Sequence, residues 1–335
     1  MIMTCVKMRT NLFIKNLHFY NSLLLKNKHM YKLCKDINTA FFIDDSPIIQ
    51  KEEYIKPVVD NKYKHFYERT DNFINTMESN LPIDNRYLMY HNLKTLTFSS
   101  YNSINIFKQL YAHIFCGGCY RFRRNDIFIN NRLVNEHDWI LYHELLHMAS
   151  SYKNKYSIYI HSGFCNDAIG HAINEGYTEL LTERYFNDEK EEEKCAYGYY
   201  TNIAKIIENI VGRETMTDLY FKADLNGLIK ELGKYAKKND IIDFLLNLDA
   251  KFYFDFKLSI LFYNNNDFLI DNINHFIVNT YINKLNLDNV SNDLIIYNSL
   301  QLNNELNLIN QKSVKKIDNR NIIKLIKKKK QRTLL

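Results

Sequence analysis

The stretch EHDWILYHELLHMAS, residues 136–150, carries the strongest structural and chemical signal in the sequence. Its apolar residues recur at helical spacing, Asn135 can cap the first turn, and Asp138 suits the positive end of a helix. His143 and His147 lie four residues apart, so on a helix their rings point the same way and can bind one metal ion. The stretch therefore predicts a metal-binding helix.

The other residues of this helix fit the same interpretation. Glu144 lies close enough to the histidine face to reach a water molecule bound to the metal. Leu141, Leu145 and Met148 occupy the opposite side and can pack into a core. We therefore expect a helix with one wet, reactive face and one apolar face.

A second signal follows in INEGYTELLT, residues 173–182. Glu175 and Glu179 lie four residues apart on a predicted helix, where their like charges repel unless something positive binds them. Hydrolytic zinc sites use three protein ligands and one open position, and two His with one Glu form such a set. A ligating histidine usually donates its second N–H to a carboxylate. Glu175 is thus a candidate ligand, and Glu179 a candidate partner of a ligating histidine.

With these two motifs the chain resembles zinc metallopeptidases of the gluzincin type, whose ligands are the histidines of His-Glu-x-x-His and a Glu from a following helix. The resemblance covers residues 120–186 and implies one Zn²⁺ per chain, with Glu175 as the third ligand. It implies Glu144 as general base and Glu179 as the carboxylate that orients a ligand. Two features depart from the pattern: Asp is commoner at the position of Glu179, and the gap of 27 residues before Glu175 is longer than in thermolysin-like members.

Other third ligands have to be weighed. His161 and His171 both follow the first motif, and His171 could instead line the cleft. The metzincin pattern requires Gly and His where this chain has Ser150 and Lys153, so that class is excluded. We favour Glu175 because it has its own carboxylate partner.

The resemblance also implies a reaction. Zinc would polarise a peptide carbonyl, and Glu144 would accept a proton from water. Tyr177, His171 and Tyr220 are candidate donors to the oxyanion, and the sequence leaves the choice open. The strand Arg124–Asn130 is placed like the strand that pairs with an extended peptide or protein substrate in zincins.

The pattern of elements predicts an α+β fold. Residues 41–150 would form a zincin-like N-terminal lobe ending in the metal helix, and residues 151–311 a mainly α-helical lobe carrying the third ligand. Basic segments, 1–40 and 312–335, flank them. Periodicity predicts helices over 63–77, 104–115, 174–185, 192–211, 214–223, 225–237 and 239–249, and strands over 93–98, 120–130 and 157–160.

Charge is unevenly distributed along the chain. The net charge is +6, but residues 312–335 hold ten Lys and Arg against one acid, which leaves −3 for the rest. The rest shows no basic stripe, so we expect no sequence-specific nucleic-acid binding. The run Lys327–Lys330 could bind an anionic surface, or could simply be a solvated end.

Location and redox state follow from composition. The sequence has no apolar run of the ~18 residues that a membrane-spanning helix needs, and no apolar segment typical of a secretory signal. We expect a cytoplasmic protein whose six cysteines are reduced thiols. Cys116-Gly117-Gly118-Cys119 has no second pair to complete a zinc site, so we expect a Gly-Gly turn there.

Two alternatives to an ordinary peptidase stay open. One is an inactive zincin-like binding protein that keeps the motif without the activity. The other is a toxin-like peptidase that acts in a foreign cytoplasm.

Overall fold

The computed structural model describes residues 47–101, 118–130, 138–153, 160–166, 168–186, 197–253, 255 and 267–309. The predicted helix at 104–115, the helix cap at Asn135, most of the predicted strand at 157–160 and both basic ends lie outside these residues. The described chain is mostly helical with a small mixed sheet, which agrees with the predicted α+β class.

Helices and short strands alternate in the first half of the chain, and helices follow one another in the second half. The helices are α1 (Lys64–Asn80), α2 (Tyr87–Leu93), α3 (Asp138–Ala149), α4 (His171–Phe186), α5 (Gly198–Val211), α6 (Arg213–Phe221), α7 (Leu225–Leu232), α8 (Lys238–Tyr253), α9 (Asp267–Leu287) and α10 (Asn292–Ile309). The strands are β1 (Thr97–Tyr101), β2 (Gly118–Arg121), β3 (Asp126–Asn130), β4 (Ser151–Lys153) and β5 (Ile160–Ser162).

The chain divides into two compact units. The first comprises Ile43–Lys205 and Arg213–Leu228 and contains strands β1 to β5 together with helices α1 to α4. The second, in its described part, comprises Ile206–Gly212 and the chain from Ile229 onward, where α9 packs against α8 and α10. Among the described helices, none is both long and apolar enough to cross a membrane.

Helix α1 forms where the spacing of apolar residues predicts it. Phe66, Phe73, Ile74 and Met77 lie at helical spacing on one face and are all buried. The chain turns extended at Leu81, directly before a proline, because proline disfavours helical geometry in the residue that precedes it. The predicted helix and its end are confirmed.

The main sheet has three strands in the order β1-β3-β2. β1 runs parallel to β3, and β2 runs antiparallel to β3, with Gly118 opposite Ile129 and Arg121 opposite Asp126. Asp126 is buried and forms an ion pair with Arg121, which compensates the charge.

Three strand predictions need correction. The single strand expected over 120–130 is two strands, β2 and β3, joined by a turn in which Asn125 has a left-handed φ of 50°. The sequence shows the break, because the apolar positions change from even numbers in β2 to odd numbers in β3. Arg124–Asn130 therefore includes part of this turn, and β3 has a neighbouring strand on each side, so it cannot pair with a substrate. The strand expected over 93–98 begins only at Thr97, since Leu93 ends α2.

Helix α3 is enclosed on all sides. All residues from Ile140 to Ala149 are buried, and α3 packs against α2, α4 and β2. The expected wet face is therefore wrong, since the histidine face is covered as well as the apolar face. At its C-terminal end, the Asn92 side chain donates hydrogen bonds of 2.7 Å to the carbonyls of Met148 and Ser151. One of these satisfies a carbonyl of the last helical turn, which has no partner within the helix.

Candidate metal centre

Helix α3 brings the two histidines together. The Nε2 atoms of His143 and His147 lie 3.1 Å apart, and the two rings are inclined at 73°. Both side chains are buried, with exposures of 4% and 5%. Two ring nitrogens that converge in this way are arranged to bind one ion.

Helix α4 supplies the third group. Glu175 Oε2 lies 3.3 Å from His143 Nε2 and 3.4 Å from His147 Nε2. Tetrahedral zinc with nitrogen and oxygen ligands at about 2.0–2.1 Å places ligand atoms about 3.3 Å from one another. The three atoms therefore have the spacing of three corners of a zinc tetrahedron. Within the described part of the chain, these residues form the one cluster of three metal-ligating side chains that was found.

Glu179 contacts the back of one histidine. Its Oε2 lies 2.8 Å from His143 Nδ1, and the carboxylate is 4% exposed. If Nδ1 donates to this carboxylate, the lone pair of the ring is at Nε2, facing Glu175 and His147. Glu179 thus contacts His143 on the ring nitrogen that faces away from Glu175.

His147 has a different neighbour, Asn174. Asn174 Nδ2 lies 3.3 Å from His147 Nδ1, while its Oδ1 accepts a hydrogen bond of 3.1 Å from the main-chain N–H of Phe164. The amide thus connects the ring to the loop before α4. The sequence alone does not predict a role for Asn174 at the site. Its position directly before Glu175 is the one feature that points to it.

The side chain of Glu144 extends from α3 to strand β2 of the sheet. Its side chain is buried, and its Oε2 accepts a hydrogen bond of 2.6 Å from the main-chain N–H of Tyr120 in β2. Burial raises the pKa of Glu144, although the positive charges of His143 and His147 oppose this. A raised pKa suits a carboxylate that takes up a proton and gives it away again.

The ligand cluster also shifts the protonation of its own members. Burial disfavours the charged form of His143, but hydrogen bonds with Glu175 and Glu179 raise its pKa well above the ordinary value of 6.5. Burial also opposes ionisation of Glu175, but His147 and His143 hold the pKa of Glu175 well below its usual range. Without a metal, the cluster therefore favours a cationic histidine beside an ionised glutamate.

The three candidate oxyanion donors have different surroundings. Tyr220 donates to or accepts from Thr178 at 2.6 Å, and burial raises its pKa, as do the charges of Glu175 and Glu144. Tyr177 is hydrogen-bonded to Thr217 at 3.0 Å, and both tyrosines are fully buried. The pKa of Tyr220 therefore responds to two carboxylates of the site.

Two other histidines were candidates from the sequence. His171, the third candidate donor, begins α4, and its Nδ1 lies 3.1 Å from Cys165 Sγ. His161 is buried in β5 with its ring near Tyr152. Neither belongs to the metal-ligating cluster found among the described residues.

Comparison of the chain with protein-family models, curated proteins and solved structures yields no match.

Removing the Glu179 carboxylate should weaken metal binding. In Glu179→Ala, His143 loses the group that orients it, and the affinity for Zn²⁺ should fall about 10–100-fold. Competition with a fluorescent zinc chelator measures the affinity. Glu183→Ala, which removes an exposed carboxylate one turn further along α4, is the matched control. Equal affinities of the two variants would contradict this role of Glu179.

Metal binding should depend strongly on pH. His143 must be neutral to bind a metal, and its raised pKa means that it holds a proton above the ordinary histidine range. The affinity should therefore rise as the pH increases from about 6 to about 8, with release of protons on binding. Calorimetric titration with Zn²⁺ in two buffers of different ionisation enthalpy measures both the affinity and the number of protons released. An affinity that stays constant over this interval would contradict the assignment.

Proposed function

We propose that the protein is a zinc-dependent peptidase of the gluzincin type. The observation that carries the proposal is the convergence of His143, His147 and Glu175 at tetrahedral spacing, with Glu144 adjacent to the first histidine. A chance pair of histidines would not require a carboxylate from another helix on the same side and a second carboxylate behind one ring.

The surrounding elements support a zincin-like lobe. A small mixed sheet lies against the helix that carries both histidines, and β2, antiparallel to its neighbour, packs directly on that helix. The third ligand comes from α4, which follows α3 in the chain. This order of sheet, histidine helix and glutamate helix is the arrangement that the resemblance implies.

The mechanism assigns one task to each group. When bound, zinc supplies a positive centre that polarises a peptide carbonyl and lowers the pKa of a water molecule towards ~7. Glu144 would accept a proton from the attacking water and pass it to the departing amine. Glu179 and Asn174 hold the two rings in orientation. Tyr220 is our choice among the three candidate oxyanion donors because burial and the charges of Glu175 and Glu144 raise its pKa, which keeps its hydroxyl protonated and able to donate.

The proposal requires one zinc ion per chain. Protein purified without chelators and incubated with Zn²⁺ should contain one equivalent after gel filtration. His143→Ala and Glu175→Ala should lose most of it, because each removes one of three ligands. His275→Ala, which changes an exposed histidine on α9, should keep it. Elemental analysis measures the content, and wild-type protein without stoichiometric zinc would overturn the proposal.

Glu144→Gln should keep zinc and lose hydrolysis. The amide is nearly isosteric with the carboxylate but cannot accept a proton from water, so the rate of peptide hydrolysis should fall about 10²–10⁴-fold. Turnover of a peptide library followed by mass spectrometry measures the rate, and elemental analysis confirms that the variant still holds metal. Wild-type turnover in this variant would remove Glu144 from the mechanism.

A further inference from the structure

The predicted Gly-Gly turn at Gly117-Gly118 is wrong at Gly118, which lies in strand β2, and the ligand set does not explain why this residue is a glycine. Gly118, the first residue of β2, is not among the described glycines with positive φ, so backbone conformation does not require a glycine there. Space does. A Cβ atom at this position would lie 3.0 Å from Glu144 Cγ, 3.1 Å from Ile140 Cγ2 and 3.3 Å from Glu144 Oε1. Any larger residue would therefore press on the Glu144 side chain.

The same strand supplies a hydrogen-bond donor. Tyr120 lies opposite Ile127 in the antiparallel ladder, yet its main-chain N–H donates to Glu144 Oε2 at 2.6 Å. Antiparallel pairs alternate between hydrogen-bonded and non-bonded positions, so Tyr120 occupies a non-bonded position and its N–H points out of the ladder. This N–H is therefore directed at the carboxylate and not at β3.

These two residues of β2 contact different parts of the Glu144 side chain. Gly118 lies against Cγ, where the side chain passes the strand, and the Tyr120 N–H holds one carboxylate oxygen. A glutamate side chain has three rotatable bonds, and a hydrogen bond to a fixed main-chain donor removes most of that freedom. The other oxygen, Oε1, lies on the side of Gly118 and keeps its acceptor capacity.

We infer that β2 is the positioning element for Glu144: the Tyr120 main-chain N–H anchors Oε2, and Gly118 is a glycine because the carboxylate needs the space beside it. For its catalytic consequence this inference rests on the proposed peptidase function. Gly118 and Tyr120 are positioning residues and not catalytic ones, since they act through Glu144. Displacement of a reacting group by a fraction of an ångström lowers the rate of the chemical step more than the binding of substrate.

Hydrogen exchange at the Tyr120 amide tests the contact without any activity. The amide of the wild-type protein should exchange slowly, because Glu144 accepts its hydrogen bond. In Glu144→Ala exchange should become about tenfold faster or more, while the ladder amides of Cys119 and Arg121 should keep their rates. Nuclear magnetic resonance on protein labelled with ¹⁵N-tyrosine, -cysteine and -arginine measures all three rates. Gly118→Ala, whose methyl group would displace Glu144, should also accelerate exchange of the Tyr120 amide. This variant replaces Glu144→Ala in the experiment if Glu144→Ala does not fold.

Turnover tests the consequence. Gly118→Ala should bind one zinc and have KM within about threefold of wild type, with kcat lower by about tenfold. Gly198→Ala is the matched control, because a Cβ at Gly198 meets no atom within 4 Å, and its kcat should equal that of wild type. A change in overall packing would lower the metal content or the melting temperature together with kcat, so both are measured on each variant.

The outcomes separate the two proposals. Equal Tyr120 exchange rates in wild type, Glu144→Ala and Gly118→Ala would overturn the inference, whatever the activity. An unchanged kcat in Gly118→Ala would overturn the positioning role. A wild-type protein that binds zinc and hydrolyses no peptide would refute the proposed function, while faster exchange in Glu144→Ala would still support the anchoring of Glu144 by β2.

Discussion

Three carboxylates, those of Glu144, Glu175 and Glu179, surround two imidazole rings inside the first unit. Burial of an ionised carboxylate is costly unless a positive charge or hydrogen-bond donors compensate it. Glu144 has a main-chain donor, Glu179 has one ring nitrogen, and Glu175 is shared between both histidines. With no metal, a proton on His143 supplies part of the compensating charge. The elements around α3 have to provide these partners at fixed positions, and this requirement governs the packing of the unit.

The packing meets that requirement by enclosing α3. A helix that only displayed two histidines to solvent would need one covered face. Here every residue from Ile140 to Ala149 is buried, because β2 covers Glu144 and α4 brings both acids. Asn92 fixes the far end of the helix through two carbonyls. The polar residues of α3 are therefore part of a satisfied interior network, which is more costly to break than a surface cluster.

Much of the candidate site could be predicted from the sequence, because its geometry is local. The spacings His143–His147 and Glu175–Glu179 are fixed by the helix itself, so each pair shares a face wherever the helix packs. The contacts of Asn174 and Tyr120 could not be predicted. They depend on how a loop and a strand meet α3 and on which way a main-chain N–H points, and side-chain identity does not encode either.

The fold was predictable to a similar depth. Helix α1, with its regular apolar spacing, was predictable together with its end, whereas the helix predicted over 225–237 ends already at Leu232. The turn at Asn125 interrupts what reads as one continuous alternation over 120–130, and the change of the apolar positions from even to odd numbers marks the break. The enclosure of α3 does not follow from the sequence, because Leu141, Leu145 and Met148 predict only one buried side and the histidine motif predicts an exposed one. Whether a polar helix face is exposed to solvent depends on which elements pack against it in the tertiary structure.

The three candidate ligand side chains, His143, His147 and Glu175, are not equally covered. Glu175 has 26% of its side chain exposed, whereas each histidine side chain has 6%. The ligands would therefore dissociate from a bound ion in a defined order. Glu175 can rotate into solvent first, and His143, which is hydrogen-bonded to Glu179, would dissociate last. A chelator in solution can take over the position given up by Glu175 before either ring moves. Loss of metal would then be assisted by the chelator and become faster as its concentration rises, with no need for the fold to open.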